Sequence, residues 1–238
     1  MTTLGADEIR RYARHIVLRG VGGEGQQKLK AARVLVVGAG GLGSPVIAYL
    51  AAAGIGTLGV VDHDEVSLSN LQRQLIHTVG SIGSPKTESA GQFVAGLNPH
   101  VAFVAHAERL TADNAAALVS AYDLVLDGTD NFGTRLIVAA AAAAAGIPLV
   151  SGAVSMFDGQ VTVFAPGGPG FRDLYPDTPD EADLPACEVV GVLGAVTGVI
   201  GTLMAMEAIK LITGIGQPLV GRLLLYDGRE ARFSELTY

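Results

Sequence analysis

The stretch that most constrains this chain runs from Arg33 to Asp62, RVLVVGAGGLGSPVIAYLAAAGIGTLGVVD. Val34–Val37 is an apolar run long enough for one buried strand. Gly38, Gly40 and Gly43 then space a G-x-G-x-x-G turn, Pro45–Ala53 reads as helix, and Thr57–Val61 reads as a second strand ending on Asp62. The first glycines let the backbone turn sharply and approach a phosphate or sugar, while Gly43 lets the helix sit close on the strand. The helix N-terminus adds unpaired N–H groups and the positive end of a dipole. An acid at the tip of the second strand can take two ribose hydroxyls. The competing reading is a glycine turn used only for packing. The strand–helix–strand context, with the acid about 20 residues on, favours a nucleotide site.

The pattern continues beyond Asp62. Residues 63–85 are polar and loop-like, Lys86–Leu97 is helical until Asn98-Pro99 stops it, and Val101–His106 is a strand. Thr111–Ser120 is a helix with Thr111 at its N-cap and Asn114 at its third position. Tyr122–Asp127 is a buried strand, Phe132–Ala145 an alanine-rich helix ending at Gly146, and Leu149–Ala153 a strand. Alternating strands and helices predict a parallel α/β sheet. After Gly152 the style changes. Gly159–Phe164 alternates like an antiparallel strand, and Leu223–Tyr226 and Ala231–Leu236 flank the turn dipeptide Asp227-Gly228. Residues 6–30 read as helix interrupted by Gly20–Gly25, with Gln26–Ala32 a short helix leading into the first strand. The predicted fold class is therefore α/β, a Rossmann-like parallel sheet extended by antiparallel strands. It forms a single domain over 1–238, with a nucleotide-binding half at about 30–153 and an antiparallel half at about 154–238. Pro166–Glu188 reads as a long mobile loop, and such loops are usually functional.

Composition excludes several classes. With 238 residues, about half of them hydrophobic, a sizeable core can be buried. The net charge of −7 argues against a nucleic-acid partner. One cysteine, Cys187, allows neither an internal disulfide nor a four-cysteine zinc site. The N-terminus has no signal-peptide core, so a cytoplasmic protein is expected. Val189–Met206 is about as long and apolar as a membrane span. Its glycines and threonines, and the amphipathic continuation from Glu207, fit a central helix buried in the core or at a subunit contact better, so no membrane partner is expected.

In a parallel sheet, ligands sit at the carboxyl ends of the strands near the switch point. Three polar islands fall there: the glycine turn with Asp62, Ser69-Asn-Leu-Gln-Arg-Gln74 followed by Lys86, and Asp127-Gly-Thr-Asp-Asn131. They supply an acid for ribose, Arg73 and Lys86 for phosphate charge, Asn70 and Gln72 as amide donors, and Asp130 for Mg²⁺, which takes one or two carboxylates plus phosphate oxygens and water. Taken singly, Arg73 and Lys86 read as surface charges and Asp127 as a brace for its own turn. Their convergence suits a nucleoside triphosphate better than a nicotinamide dinucleotide. His63 and His77 read as loop-surface residues.

The whole set resembles the ubiquitin-activating-like (E1-like) adenylyltransferases, nearest to those that activate the small subunit of molybdopterin synthase or the thiamine sulfur carrier. The matching segments are RYARHIVL (11–18), EGQQKL (24–29), VVGAGGLGSP (36–45), VDHDEVSLSNLQRQ (61–74), Pro85-Lys86, DGTDN (127–131), the 152–164 strand region and CEVVGVLG (187–194). The resemblance implies a homodimer that binds ATP and Mg²⁺. Gly38, Gly40, Gly41 and Gly43 would form the turn around the nucleotide, and Asp62 would hold the ribose. Asn70, Arg73 and Lys86 would contact the phosphates, Asp130 would hold Mg²⁺, and Ser69, Leu71, Gln72 and Asn131 would complete the nucleotide site. Arg14 would reach the site of the other subunit. The implied substrate is the C-terminal Gly-Gly carboxylate of a ubiquitin-like sulfur carrier, which attacks the α-phosphate to give an acyl-adenylate. The chemistry agrees: attack by a carboxylate that is already ionised needs alignment and charge stabilisation, and no general base.

Cys187 sits where some members form a covalent link during sulfur transfer; its other reading is a loop residue without chemistry. Many members bind a structural zinc with two C-x-x-C pairs. Here the first pair is replaced by Gly170 and Asp173, and no second pair precedes Tyr238, so no zinc is expected and the 166–188 loop is expected to be loosened. A sulfurtransferase domain carried by some relatives is lacking too, so a separate sulfurtransferase is expected. The alternatives are an adenylyltransferase for the thiamine carrier, a nicotinamide-dependent oxidoreductase, and a non-catalytic scaffold. The oxidoreductase has no use for Asn70, Arg73, Lys86 and Asp130, and the scaffold has no need of Arg14, Arg73 or Asp130.

Overall fold

The computed structural model describes residues 3–177 and 191–238. Eight strands form one sheet in the order β3-β2-β1-β4-β5-β6-β7-β8. They are β1 (Arg33–Val37), β2 (Thr57–Val61), β3 (Ala102–His106), β4 (Leu124–Asp127), β5 (Leu149–Ser155), β6 (Asp158–Phe164), β7 (Arg222–Asp227) and β8 (Arg232–Thr237). The pairs from β3 through β5 are parallel, and β5–β6, β6–β7 and β7–β8 are antiparallel. The switch from helical crossovers to hairpins seen after Gly152 in the sequence is thus a change of strand direction within one continuous sheet.

The helices are α1 (Ala6–Arg11), α2 (Ala13–Ile16), α3 (Gly22–Ala31), α4 (Gly43–Ala53), α5 (Lys86–Leu97), α6 (Ala112–Val119), α7 (Phe132–Ala145), α8 (Phe171–Leu174) and α9 (Gly194–Thr213). The period-2 alternation of a strand sends successive side chains to opposite faces. In β1, Val34 and Val36 join a core beneath α4, α5 and α9, while Leu35 and Val37 join a second core beneath α6 and α7. Burial on both faces explains why β1 reads as an unbroken apolar run. The loop before α6 closes as its sequence predicts, with the Thr111 N–H donating to Asn114 Oδ1 at 2.8 Å. Gly146, with φ +67°, ends α7 in the left-handed conformation.

α9 is long and apolar enough to cross a membrane, the one such helix among the described residues. Here it packs on α4, α3, β5 and β6, with Ile200, Met204 and Ala208 fully buried. Its buried Glu207 pairs with Lys210 and accepts the Leu219 N–H at 2.9 Å, tying the helix to the chain entering β7.

One expectation is corrected. The glycines of 20–25 do not all interrupt the N-terminal helix: α3 begins at Gly22, and Gly25 is buried in its interior. Of the 166–188 stretch read as a mobile loop, residues 166–177 are described, and they are packed. Residues 171–174 form α8, Phe171 is buried, and its ring stands 5.7 Å from Phe132, 5.6 Å from Phe164 and 4.8 Å from Tyr175. The Tyr238 ring meets Phe164 at 6.3 Å, and Gln160 donates to the Tyr175 hydroxyl. Dispersion and burial among these rings hold the segment. Residues 178–188, including Cys187, lie outside the described residues.

Candidate nucleotide site

β1 sits between β2 and β4, so the chain runs outward one way through β2 and β3 and the other way through β4 and β5. The crevice at that switch point is where a parallel sheet receives a ligand. A cavity of about 560 Å³ opens there. Its floor is the glycine turn. Gly38 has φ +93°, a conformation that side chains disfavour, and its N–H donates to Val61 O at 2.9 Å. A methyl group at Gly43 would overlap the Gly38 carbonyl oxygen, so the helix starts directly against the turn. Gly40 and Gly41 line the cavity, and Gly41 packs against Thr197 of α9.

Asp62 closes one wall. Its Oδ2 accepts the Ala39 N–H at 2.7 Å and its Oδ1 accepts the Asp64 N–H at 2.8 Å. Beside it, Lys86 is 5 % exposed and donates to Asp64 Oδ2 at 2.9 Å. Burial works against the charged Asp64 carboxyl, but the Lys86 hydrogen bond and charge hold it below the usual carboxylate range. Lys86 is therefore a buried cation at the cavity wall, not the surface charge that its isolated reading suggests.

The second island is a short 3₁₀ turn, Leu68–Asn70, in which Asn70 Oδ1 accepts the Ser67 N–H at 3.2 Å. Arg73 is held by its own Nη1 donating to Ser69 O at 3.1 Å, and Asn70, Gln72 and Arg73 face the cavity. Ser69 and Leu71 shape the turn without lining the cavity.

The third island follows β4. Asp127 is fully buried, and its Oδ1 accepts from the Thr129 N–H at 3.0 Å and hydroxyl at 2.7 Å, so it braces the turn as its bland reading predicts. Burial pushes its carboxyl up, against the charge of Arg135, and its Oδ2 has no hydrogen-bond partner among the described residues. Asp130 and Asn131 line the cavity, and Asn131 Oδ1 caps α7 by accepting the Thr134 N–H at 2.8 Å. Arg14, exposed on α2, does not line the cavity.

Several cavity residues lay outside the sequence reading. Arg135 donates to Thr129 O at 2.7 Å, Thr197 comes from α9, and Arg109 donates to His63 Nε2 at 2.6 Å beside Asp64. Arg135 had a signal, since a cation one turn into the helix after D-G-T-D-N faces the same crevice. The other two arrive by tertiary packing alone. His63 is exposed, as read, but His77 is a correction: it is buried, between Ser89 and Ala39.

Asp130, a carboxylate at the cavity, fits a cation shared with phosphate oxygens and water. A structural zinc does not fit at 170–173. Gly170 offers no ligand, and its N–H instead donates to Asp173 Oδ2 at 2.7 Å, capping α8.

The ThiF family model matches residues 12–238. The chain belongs to the ThiF family. It is 49 % identical over 241 residues to the probable adenylyltransferase/sulfurtransferase MoeZ of Mycobacterium tuberculosis, covering 99 % of this chain and 62 % of MoeZ. It is 49 % identical over 237 residues to the sulfur carrier protein adenylyltransferase of Thermus thermophilus, covering 97 % of this chain and 88 % of that protein. Among solved structures, E. coli MccB with MccA-N7isoASN superposes with a TM-score of 0.85 at 20 % identity, over 96 % of this chain and 71 % of that one, a likeness of fold. This ThiF-family chain therefore carries the Rossmann-like sheet with its antiparallel extension, and the family resemblance read from its motifs holds.

Proposed function

We propose that this ThiF-family chain uses ATP with Mg²⁺ to adenylate the C-terminal Gly-Gly carboxylate of a ubiquitin-like sulfur carrier, with the small subunit of molybdopterin synthase ahead of the thiamine carrier. The observation that carries the reading is the convergence of Asp62, Asn70, Arg73, Lys86 and Asp130 around one cavity at the switch point. The names of its relatives in M. tuberculosis and T. thermophilus support the same chemistry.

The residues divide the work. The glycine turn lets the phosphates approach backbone N–H groups, and Asp62 takes ribose hydroxyls in place of its present amide partners. Arg73 and Lys86 offset charge building on the phosphate oxygens as the carrier carboxylate attacks and pyrophosphate leaves. Lys86 does this from a site of low water access, where its charge acts more strongly. Asp130, with Asn131 beside it, would hold Mg²⁺, which when bound neutralises phosphate charge. Arg14 would enter from the partner protomer of a homodimer. Cys187 is a candidate for a covalent link in sulfur transfer, a step adenylation does not need.

The test is carrier-dependent ATP–pyrophosphate exchange, with the molybdopterin-synthase small subunit and the thiamine carrier offered in parallel and Asp130→Ala as the blank. Exchange with the first carrier, lost at least about a hundredfold in the blank, is the expected result. Exchange with the thiamine carrier alone would move the assignment to that pathway. Exchange with neither would overturn the reading.

A further inference from the structure

The proposed chemistry makes no use of His77, yet it is among the most tightly held polar side chains next to the site. It is 5 % exposed, with Nδ1 at 2.9 Å from Ser89 Oγ and Nε2 at 3.0 Å from Ala39 O. A carbonyl oxygen only accepts, so Nε2 carries the proton. In the neutral ring Nδ1 is then an acceptor, and the Ser89 hydroxyl donates to it. Burial pushes the imidazole pKa down and Lys86 adds to that, while the Ala39 hydrogen bond and Asp62 work the other way.

The two ends of this relay matter. Ser89 lies in the first turn of α5, the helix that begins at Lys86. Ala39 is the second residue of the glycine turn, and its own N–H donates to Asp62 Oδ2 at 2.7 Å. Both peptides of Ala39 are thereby fixed, one by the acid and one by the imidazole. In a planar trans peptide the C=O and N–H point in opposite directions. Holding the Ala39 carbonyl toward His77 therefore turns the N–H of the same peptide, that of Gly40, the other way, and Gly40 lines the cavity.

We propose that His77 is a positioning residue: by binding the Ala39 carbonyl it aims the Gly40 N–H at the nucleotide phosphates, and through Ser89 it fixes the glycine turn relative to Lys86. This rests on the reading of the cavity as an ATP site.

Two substitutions separate aiming from mere packing. In His77→Gln the side-chain amide nitrogen takes the place of Nε2 and can still donate to Ala39. In His77→Asn the shorter amide reaches Ser89 and leaves the Ala39 carbonyl without its donor. Calorimetric titration with ATP should show His77→Asn binding at least about tenfold more weakly, the size of one lost buried hydrogen bond, and His77→Gln within about threefold of the parent. In ATP–pyrophosphate exchange the Asn variant should raise KM for ATP and change kcat by less than about threefold. Ser89→Ala, a milder change that leaves the ring in place, should weaken ATP about threefold. Amide hydrogen exchange without nucleotide should be faster at residues 38–43 in the Asn variant and unchanged in β4.

Equal losses of ATP affinity in the Gln and Asn variants, or an Asn variant that binds ATP like the parent, would overturn the inference. Unchanged exchange at 38–43 in the Asn variant would overturn it whatever the nucleotide result. Should the parent itself bind no ATP, the proposed function fails. The exchange pattern then decides alone whether His77 positions the turn.

Discussion

Gly43 shows how little freedom single residues have here. A methyl group at that position would overlap the Gly38 carbonyl oxygen. Gly43→Ala should therefore cost about 1–3 kcal/mol in urea unfolding and displace the turn that the nucleotide needs. Glu8 gives a pH-dependent case. Its buried carboxylate accepts from Lys30 Nζ at 2.6 Å and the Gly5 N–H at 2.8 Å. Burial raises its pKa, but these two partners outweigh burial and leave it lowered in the folded protein. A group with a depressed folded pKa stabilises above its unfolded value, about 4.3 for a glutamate, and that contribution is lost as pH falls through the folded pKa. The stability gap between the parent and Glu8→Gln should be full at pH 7, begin to close below about pH 4.3 and vanish as pH falls through the folded pKa, as urea unfolding across that range will show. Gly38, Gly43 and Asp62 were legible in the sequence because their roles depend on backbone geometry at short spacing. His77 was not. It stands in a polar stretch without period, and its partners are Ala39 and Ser89, which only the fold brings to it.

Among the elements, the strands and the crossover helices α4–α7 follow from apolar period and cap residues. The departures have local causes. α3 tolerates glycine in its first turns because Gly25 packs under Val21 and Thr213, where a larger residue would be crowded. α8 was unreadable because four residues carry no period, and its order comes from rings distant in sequence: Phe132 and Phe164, the latter backed by Tyr238. Phe171→Ala should remove the centre of that cluster, cost about 3 kcal/mol and open 166–177 to limited proteolysis. At the α9–α4 crossing, a side chain on Gly201 would overlap Pro45. Gly201→Leu should force the helices apart and lower the unfolding midpoint by the equivalent of about 1–3 kcal/mol.

For the molecule as a whole, the single sheet and the position of its cavity were legible from the order of elements, whereas the contribution of α9 to that cavity was not. The proposed homodimer has a direct test. Arg14→Ala and Asp130→Ala should each be inactive alone. Mixed and allowed to exchange subunits, they should recover about a quarter of the parental exchange activity, since half the dimers are hybrids with one complete site of two. A mixture that stays inactive would place Arg14 outside the partner's site.

The position of α9 also bears on how the protein is made. The helix comes late in the chain, yet it covers one face of the core formed by β1, α4 and β5, and its first turn rests against Gln72 and Arg73. On the ribosome, the glycine turn and the strands beside it emerge on the order of ten seconds before their cover does. Until α9 follows, the nascent nucleotide half exposes the apolar face that Ile200, Met204 and Ala208 will fill, and Gly41 lacks its wall at Thr197. Maturation of the site thus waits on the C-terminal third of the chain.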